Sequence, residues 1–303
     1  VLARAAEGAY DLVLAHDPDA DRLAVAVPSH DATGNWRVLT GDEIAALLSD
    51  HVLARSSEAE LAGGVLVSTV ASATLLAELA AAAGVPHVQT LPGFKWVMRA
   101  GAASAPARPV LFGYEEALGF FVGQIARDKD GIAAAVAMVA CAEDARREGV
   151  TLPERLDRLA LRFGLYATRL VTVELAADGA AGRAARTLME TLRSAPPQTL
   201  GGETVACTED LLRPGGAGAR ATRADSERAN GLPAADLLIY ATVEHSRLVI
   251  RPSGTEPRIK VHMQVRVPVK DENLEGARTL ASARLDALEE DVGRLLGAAA
   301  AGG

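Results

Sequence analysis

Through the first half of the chain, apolar runs of strand length alternate with alanine-rich helical stretches. That alternation restricts the fold more than any other feature. Val65 to Thr69 reads as a buried strand, Ser72 to Gly84 as a helix stopped by glycine, and Val85 to Leu91 as another strand. The pattern predicts an α/β unit with a parallel sheet. Thr40-Gly41-Asp42-Glu43 is a capping box opening a helix to about Arg55. A helical stretch follows Pro92 and Gly93, then a strand at Val110 to Phe112, an acidic turn, and an extended segment at Phe120 to Gln124. Asp130 to Glu148 is a long helix, and Thr151-Leu152-Pro153-Glu154 opens the next one.

From about Leu165 the pattern changes to that of an α+β unit. A strand at Tyr166 to Leu175 and a helix near Ala180 to Arg193 precede three strands, Asp236 to Val243, Arg247 to Arg251 and Arg258 to Val267. Gly215 to Gly218 marks an irregular insert, and a helix from about Asn273 to Leu296 ends the pattern.

Ahead of the first helix lie two short strands, Asp11 to Ala15 and Leu23 to Val27, joined by Asp17-Pro18-Asp19-Ala20-Asp21-Arg22. Three carboxylates this close repel one another in water, whereas a hard cation such as Mg²⁺ accepts oxygen ligands from one short loop. An EF-hand would need Gly at the sixth position and Glu at the twelfth, where Arg22 and Pro28 stand. A solvated acidic turn, bent at Pro18, is the plain alternative.

A net charge of −8 among 303 residues, with a pI near 5.4, argues against nucleic acid and anionic membranes as partners. An anion would have to be bound locally. Arg251-Pro252-Ser253-Gly254-Thr255-Glu256-Pro257-Arg258 has the composition for it: two guanidinium groups, two hydroxyls and a permissive glycine between strands. Lys260 adds a positive charge if it faces the same rim. Cys141 and Cys207 read as free thiols of a reducing compartment. With no signal-peptide pattern at Val1 to Tyr10 and no run long enough to span a bilayer, a cytoplasmic location is expected.

Three further motifs could touch a ligand. Gly113-Tyr114-Glu115-Glu116-Ala117-Leu118-Gly119 offers two carboxylates, Glu115 and Glu116, to sugar hydroxyls. Gly93-Phe94-Lys95-Trp96 sets a cation and two aromatics at a strand-to-helix turn, although core packing of the aromatics explains it equally well. Lys129, in Arg127-Asp128-Lys129-Asp130-Gly131, stands among acids at a helix start, which for most lysines means solvated charge.

Taken in order, Asp17 to Arg22, Gly93 to Trp96, Gly113 to Gly119, Lys129 to Gly131 and Arg251 to Arg258 resemble the α-D-phosphohexomutases, which include phosphoglucomutases and phosphomannomutases. The resemblance implies phosphohexomutase-like mixed-sheet α/β domains plus a C-terminal α+β domain. It divides the chain into the remainder of a metal-binding second domain (1–37), a sugar-binding third domain (38–163) and a phosphate-binding fourth domain (164–303). It implies that Asp17, Asp19 and Asp21 bind Mg²⁺, that Arg22 contacts the phosphoryl region, and that Lys129 is a general acid/base. Gly93, Lys95, Glu115 and Glu116 would contact sugar, while Arg251, Ser253, Gly254, Thr255 and Arg258 hold the phosphate not being transferred.

The implied reaction is isomerisation of a hexose phosphate, moving phosphate between the 1 and 6 positions through a phosphoserine and a sugar bisphosphate intermediate. Phosphopentomutase chemistry and an inactive sugar-phosphate-binding remnant are the alternatives. Ala117 and Pro92 depart from the Ser and Thr of many relatives. The family's Ser-His-Asn phosphoserine loop should precede Asp17 and is not found there, so a missing N-terminal domain is expected to be required for catalysis. Ser29-His30-Asp31 follows the acidic loop and reads as a turn. A haloacid-dehalogenase-like phosphatase would account for Asp17 and Asp19 but leaves residues 251–258 unexplained.

Overall fold

The computed structural model describes residues 1–8, 10–29, 36–103, 106–123, 125–174, 181–213, 232–253 and 258–301. The chain divides into two compact units, Val1–Phe163 and Gly164–Gly303. Residues 254–257 and 214–231 lie outside the described residues, and with them Gly254, Thr255 and the glycine-rich insert.

The first unit opens with a short helix, α1 (Leu2–Ala5), and a small antiparallel sheet of β1 (Val13–Ala15), β2 (Ala24–Pro28) and β3 (Trp36–Val38), in that spatial order. Trp36 starts β3 and pairs with Pro28. Then follow α2 (Gly41–Arg55), α3 (Glu58–Gly63), β4 (Val65–Thr69), α4 (Leu75–Ala82), β5 (His87–Thr90), α5 (Phe94–Ala103), β6 (Val110–Glu115), β7 (Gly119–Val122), α6 (Gly131–Arg147) and α7 (Leu152–Phe163). The second sheet has order β5-β4-β6-β7; β4 runs parallel to both neighbours, and β7 folds back antiparallel on β6.

All five β4 residues are buried, as befits a central strand covered on both faces. Leu66 joins Ile44, Leu47 and Leu48 of α2, Leu76 of α4 and Met138 of α6 in one core. Val65 and Val67, on the alternate face, pack with Phe94, Val97 and Ala100 of α5. Close approach of α5 needs Gly113, where a Cβ would meet Val97 Cγ1 at 2.6 Å.

The helix starts are chemically specified. Thr40 accepts from Glu43 N–H while Glu43 accepts from Thr40 N–H, and Ser57 and Glu60 repeat the box at α3, an element the apolar pattern alone did not reveal. Asp130 caps α6 by accepting from Ala133 N–H at 2.9 Å.

The second unit contains β8 (Leu165–Glu174), α8 (Ala181–Ser194), β9 (Thr199–Leu200), β10 (Glu203–Asp210), β11 (Leu238–Thr242), β12 (Arg247–Pro252), β13 (Arg258–Val267) and α9 (Leu274–Ala301). Its six strands form one antiparallel sheet in the order β8-β13-β12-β11-β10-β9. β9 and β10 add two strands to those expected; in Glu203 to Asp210 polar ends flank only Val205-Ala206-Cys207, which hides a half-buried strand. One face is apolar: Leu248 and Ile250 of β12 and Val261, Met263 and Val265 of β13 pack with Leu188 and Leu192 of α8 and Leu285 and Leu288 of α9. Among the described residues, no helix is long and apolar enough to cross a membrane.

Candidate active site

The acidic loop leaves β1 at its C-terminal end and closes on itself before β2. Ala20 N–H donates to Asp17 carbonyl at 3.0 Å, with Ala20 in the left-handed region at φ 55°, so the chain reverses within one turn. Arg22 N–H reaches Asp17 Oδ1 at 3.3 Å, and His16 Nδ1 donates to Arg22 carbonyl at 2.8 Å, which fixes the ring tautomer. His16 is thus a loop-closing residue. Arg22 Nε lies 3.8 Å from Asp17 Oδ2 and 4.0 Å from Asp21 Oδ1.

Two other segments are stitched to this loop. Arg22 bridges to Gly119 at the start of β7, and Leu23 N–H donates to Leu118 carbonyl at 3.1 Å. The first residue of α6 presses on it too: a Cβ on Gly131 would lie 2.5 Å from Arg22 carbonyl oxygen and 2.7 Å from that of Ala20. Between them, Lys129 crosses Gly119, where a Cβ would meet its Cδ at 3.1 Å, and its Nζ pairs with Asp21 Oδ2. That hydrogen bond holds the Asp21 carboxyl below its ordinary value, against the opposing effect of burial.

The donor set suits a hard cation, and Asp21 Oδ1 is buried with no hydrogen-bond partner. Among the described residues, however, no three Asp, Glu, His or Cys side chains converge on one point able to hold a metal ion. The loop carries the candidate carboxylates without gathering them; Arg22 and Lys129 are the cations that meet them.

Glu115, the last residue of β6, accepts Gly93 N–H at 2.5 Å. Gly93 has φ 119°, which suits glycine, so the turn into α5 is pinned to the sugar-candidate carboxylate. Glu116 points elsewhere: its Oε2 accepts from Thr69 Oγ1 at 3.2 Å and Ser72 Oγ at 3.3 Å, at the C-terminal end of β4. Beside it, Asp42 Oδ1 accepts from Ala73 N–H at 2.8 Å and Tyr114 hydroxyl at 2.9 Å. Burial, with Asp42 beside it, raises the Tyr114 phenol well above its ordinary value. Thr69, Ser72 and Asp42 escaped the sequence reading, although strand C-terminal ends are where open α/β sheets place ligands. Phe94 is core, whereas Trp96 is half-buried, with Lys95 Nζ 5.4 Å and Arg99 5.7 Å from its ring centroid.

In the second unit, Arg251 lies at the end of β12, Ser253 follows that strand and Arg258 begins β13. Ser253 N–H donates to Arg258 carbonyl at 2.8 Å, closing the strand pair, and Arg258 Nε lies 2.7 Å from Glu174 Oε1.

Known proteins resemble this chain. Residues 40–163 match the family model described as "Phosphoglucomutase/phosphomannomutase, alpha/beta/alpha domain III". A Haemophilus influenzae protein named "Probable phosphomannomutase" is 34% identical over 257 residues, a stretch covering 84% of this chain and 46% of that protein. Residues 40–163 belong to the phosphohexomutase superfamily, and the likeness extends over most of the chain. A second relative, the "Probable phosphoribomutase" of Schizosaccharomyces pombe, is 30% identical over 298 residues, covering 89% of this chain and 48% of that one. The fold agrees with that of solved phosphohexomutases: a phosphoglucomutase from Paramecium superposes with a TM-score of 0.59 at 17% identity, over 96% of this chain and 48% of its own. A phosphomannomutase structure from Thermus thermophilus gives 0.57 at 16% identity, over 94% and 47%. The chain spans about half the length of the curated relatives it matches.

Proposed function

We propose that the chain is the sugar- and phosphate-binding part of a phosphosugar mutase that moves a phosphoryl group between the 1 and 6 positions of a hexose phosphate. One observation carries this reading. Lys129 joins the acidic loop to the hairpin bearing Glu115, so three motifs far apart in sequence meet in one unit.

In this reading Glu115 orients sugar hydroxyls, Gly93 and Lys95 flank them, and Glu116 holds the turn through Thr69 and Ser72. Lys129 Nζ, already sharing a proton-donating contact with Asp21, exchanges a proton with the sugar hydroxyl that accepts or releases phosphate. Arg22 neutralises charge on the phosphoryl oxygens. Asp17, Asp19 and Asp21 would hold Mg²⁺, which when bound supplies Lewis-acid neutralisation of a phosphoryl oxygen. Arg251, Ser253 and Arg258, with Gly254 and Thr255 by sequence, bind the other phosphate. A sugar bisphosphate then serves as intermediate, and the phosphoserine donor is assigned to the part of the relatives' length that this chain does not span.

The Schizosaccharomyces pombe relative supports pentose phosphates as a second substrate class. A panel of glucose, mannose and ribose 1-phosphates, assayed for isomerisation by the complete protein, tests both. Hexose turnover that needs Mg²⁺ and is lost in Asp19→Ala is the expected result. Ribose-only turnover selects the second class, and phosphate release without isomerisation overturns both.

A further inference from the structure

Glu115 stands between two residues that are each held by other parts of the first unit. Strand alternation sends the Tyr114 and Glu115 side chains to opposite faces of β6. Tyr114 enters the core, where its ring stacks between Phe112 and Phe120 at centroid separations of 6.0 and 6.4 Å. Its hydroxyl donates to Asp42 Oδ1 at 2.9 Å, and the same oxygen accepts Ala73 N–H at 2.8 Å. Asp42 is the second residue of α2 and Ala73 precedes α4, so one carboxylate oxygen ties α2, the end of β6 and the β4–α4 turn together. On the other side of Glu115, Glu116 grips that same turn through Thr69 and Ser72. Its backbone is confined as well: a Cβ on Gly41, the residue before Asp42, would lie 2.1 Å from the Glu116 carbonyl oxygen.

Core packing does not ask for this chemistry. Phe112 and Phe120 make ring contacts of the same kind without a hydroxyl. Tyr114 instead brings a hydroxyl into a buried position, where it needs a partner. An aspartate in the first turn of a helix is favoured by the helix dipole with no side-chain partner at all. Here it turns to Tyr114 and Ala73, and hydrogen bonds to a carboxylate are both strong and directional. The pair therefore fixes where β6 ends rather than filling space. What that fixed end carries is Glu115, whose Oε1 accepts Gly93 N–H at the turn into α5.

We propose that Asp42 is a positioning residue: by holding Tyr114 and the β4–α4 turn it aims the Glu115 carboxylate at a sugar hydroxyl, a role that rests on the proposed sugar contact of Glu115. Asp42 itself touches no substrate. Its loss leaves the Glu115 carboxylate present but no longer held to one direction, so recognition of that hydroxyl fails before the rest of the ligand is lost.

Glucose 1-phosphate and its monodeoxy analogues, titrated calorimetrically into the 303-residue chain, probe that hydroxyl. In the unsubstituted chain one analogue is expected to bind roughly tenfold more weakly than the parent sugar, because Glu115 is left without that partner. Glu115→Ala should abolish the penalty. Asp42→Ala and Tyr114→Phe should each cut it to about threefold or less, and the double variant should go no further than Asp42→Ala, since both act through one bond. Asp42→Asn, whose amide oxygen accepts the same bonds, should keep it. Ser57→Ala, which removes the cap of α3, should lower the melting temperature and leave the penalty unchanged, which separates aiming from general loss of stability. Tyr114→Phe keeps the ring stack, so it carries the test if Asp42→Ala does not fold. If Glu115→Ala abolishes the penalty while Tyr114→Phe retains it in full, Asp42 does not aim Glu115 and the sugar contact stands. If glucose 1-phosphate does not bind, no analogue is penalised, or Glu115→Ala changes nothing, the Glu115 reading falls and the proposal with it.

Discussion

Lys129 and His51 show how two titratable side chains of one unit are used in opposite ways. The Lys129 ammonium sits on Asp21, so any divalent ion recruited by the acidic loop competes with it for Asp21 Oδ2. Replacing Lys129 with Met removes the competitor and one repelling charge. Mg²⁺ affinity measured by titration calorimetry should then rise by roughly three- to tenfold, while turnover drops by at least about a hundredfold if Lys129 is the proton-transfer group proposed above. Unchanged Mg²⁺ affinity would show that the ion does not use Asp21. His51 sits between α2 and α6, with Nδ1 3.2 Å from Asp144 Oδ2, and Asp144 is itself held by Arg55 at 2.6 Å. Burial pushes the His51 imidazole below its ordinary 6.5, and Asp144 only partly opposes this. With the folded value depressed, the unfolded chain takes up the proton first as pH falls. The contribution of His51 is therefore present above pH 6.5 and lost progressively below it. Urea midpoints measured from pH 7.5 down to about 5.5 should fall less steeply in His51→Gln than in the unsubstituted chain; parallel slopes would refute the assignment.

Element α6 holds the acidic loop by its first residue, and there an ordinary propensity rule reverses. Glycine to alanine inside a helix normally stabilises by about 1 kcal/mol. At Gly131 the added methyl would press on the carbonyl oxygens of both Ala20 and Arg22, backbone that cannot swing aside. Gly131→Ala should instead destabilise by about 1–3 kcal/mol by urea unfolding, and weaken Mg²⁺ binding as the loop shifts. A gain in stability would mean that the helix is not seated on the loop. This contact also marks how far the site could be read from sequence. The capping boxes at Thr40 and Thr151 and the strand runs around β4 are local patterns, and they appear where expected. The acidic loop, the glycine-bracketed turn and Lys129 are each visible as motifs. Their joining is not, because it depends on Gly119 and Gly131 allowing close approach between segments about a hundred residues apart. The Glu116 clamp on Thr69 and Ser72 was illegible for the same reason: two ordinary hydroxyls gain meaning only beside a carboxylate from the turn after β6. β10 stayed hidden because its apolar run is only Val205-Ala206-Cys207 between polar ends, too short to signal a strand.

Whole-molecule behaviour follows from the existence of two separate cores. In the first unit Leu66, Phe112 and Met138 pack around a mainly parallel sheet; in the second, the helices α8 and α9 cover one face of a six-stranded antiparallel sheet. Gly164, at φ 92°, makes the left-handed turn at the boundary, where a side chain would be strained. The second unit has a domain's size, its own layered core and its own internal ion pairs. Arg193, largely buried, is held by Asp210 and Asp236, and Arg284 by Glu203. None of these needs residues 1–163. An excised fragment of residues 164–303 is therefore expected to fold by itself, giving a single cooperative urea transition with coincident fluorescence-independent probes such as near- and far-ultraviolet circular dichroism. Because Arg251, Ser253 and Arg258 of the proposed phosphate site all lie within it, the fragment should also bind inorganic phosphate within about threefold of the intact chain's affinity, the scatter expected when a site's contacts are preserved. A fragment that folds but binds phosphate at least tenfold more weakly would assign part of that site to the first unit. One that retains far-ultraviolet signal without a near-ultraviolet signal or a cooperative transition would show that its core requires residues 1–163 to pack.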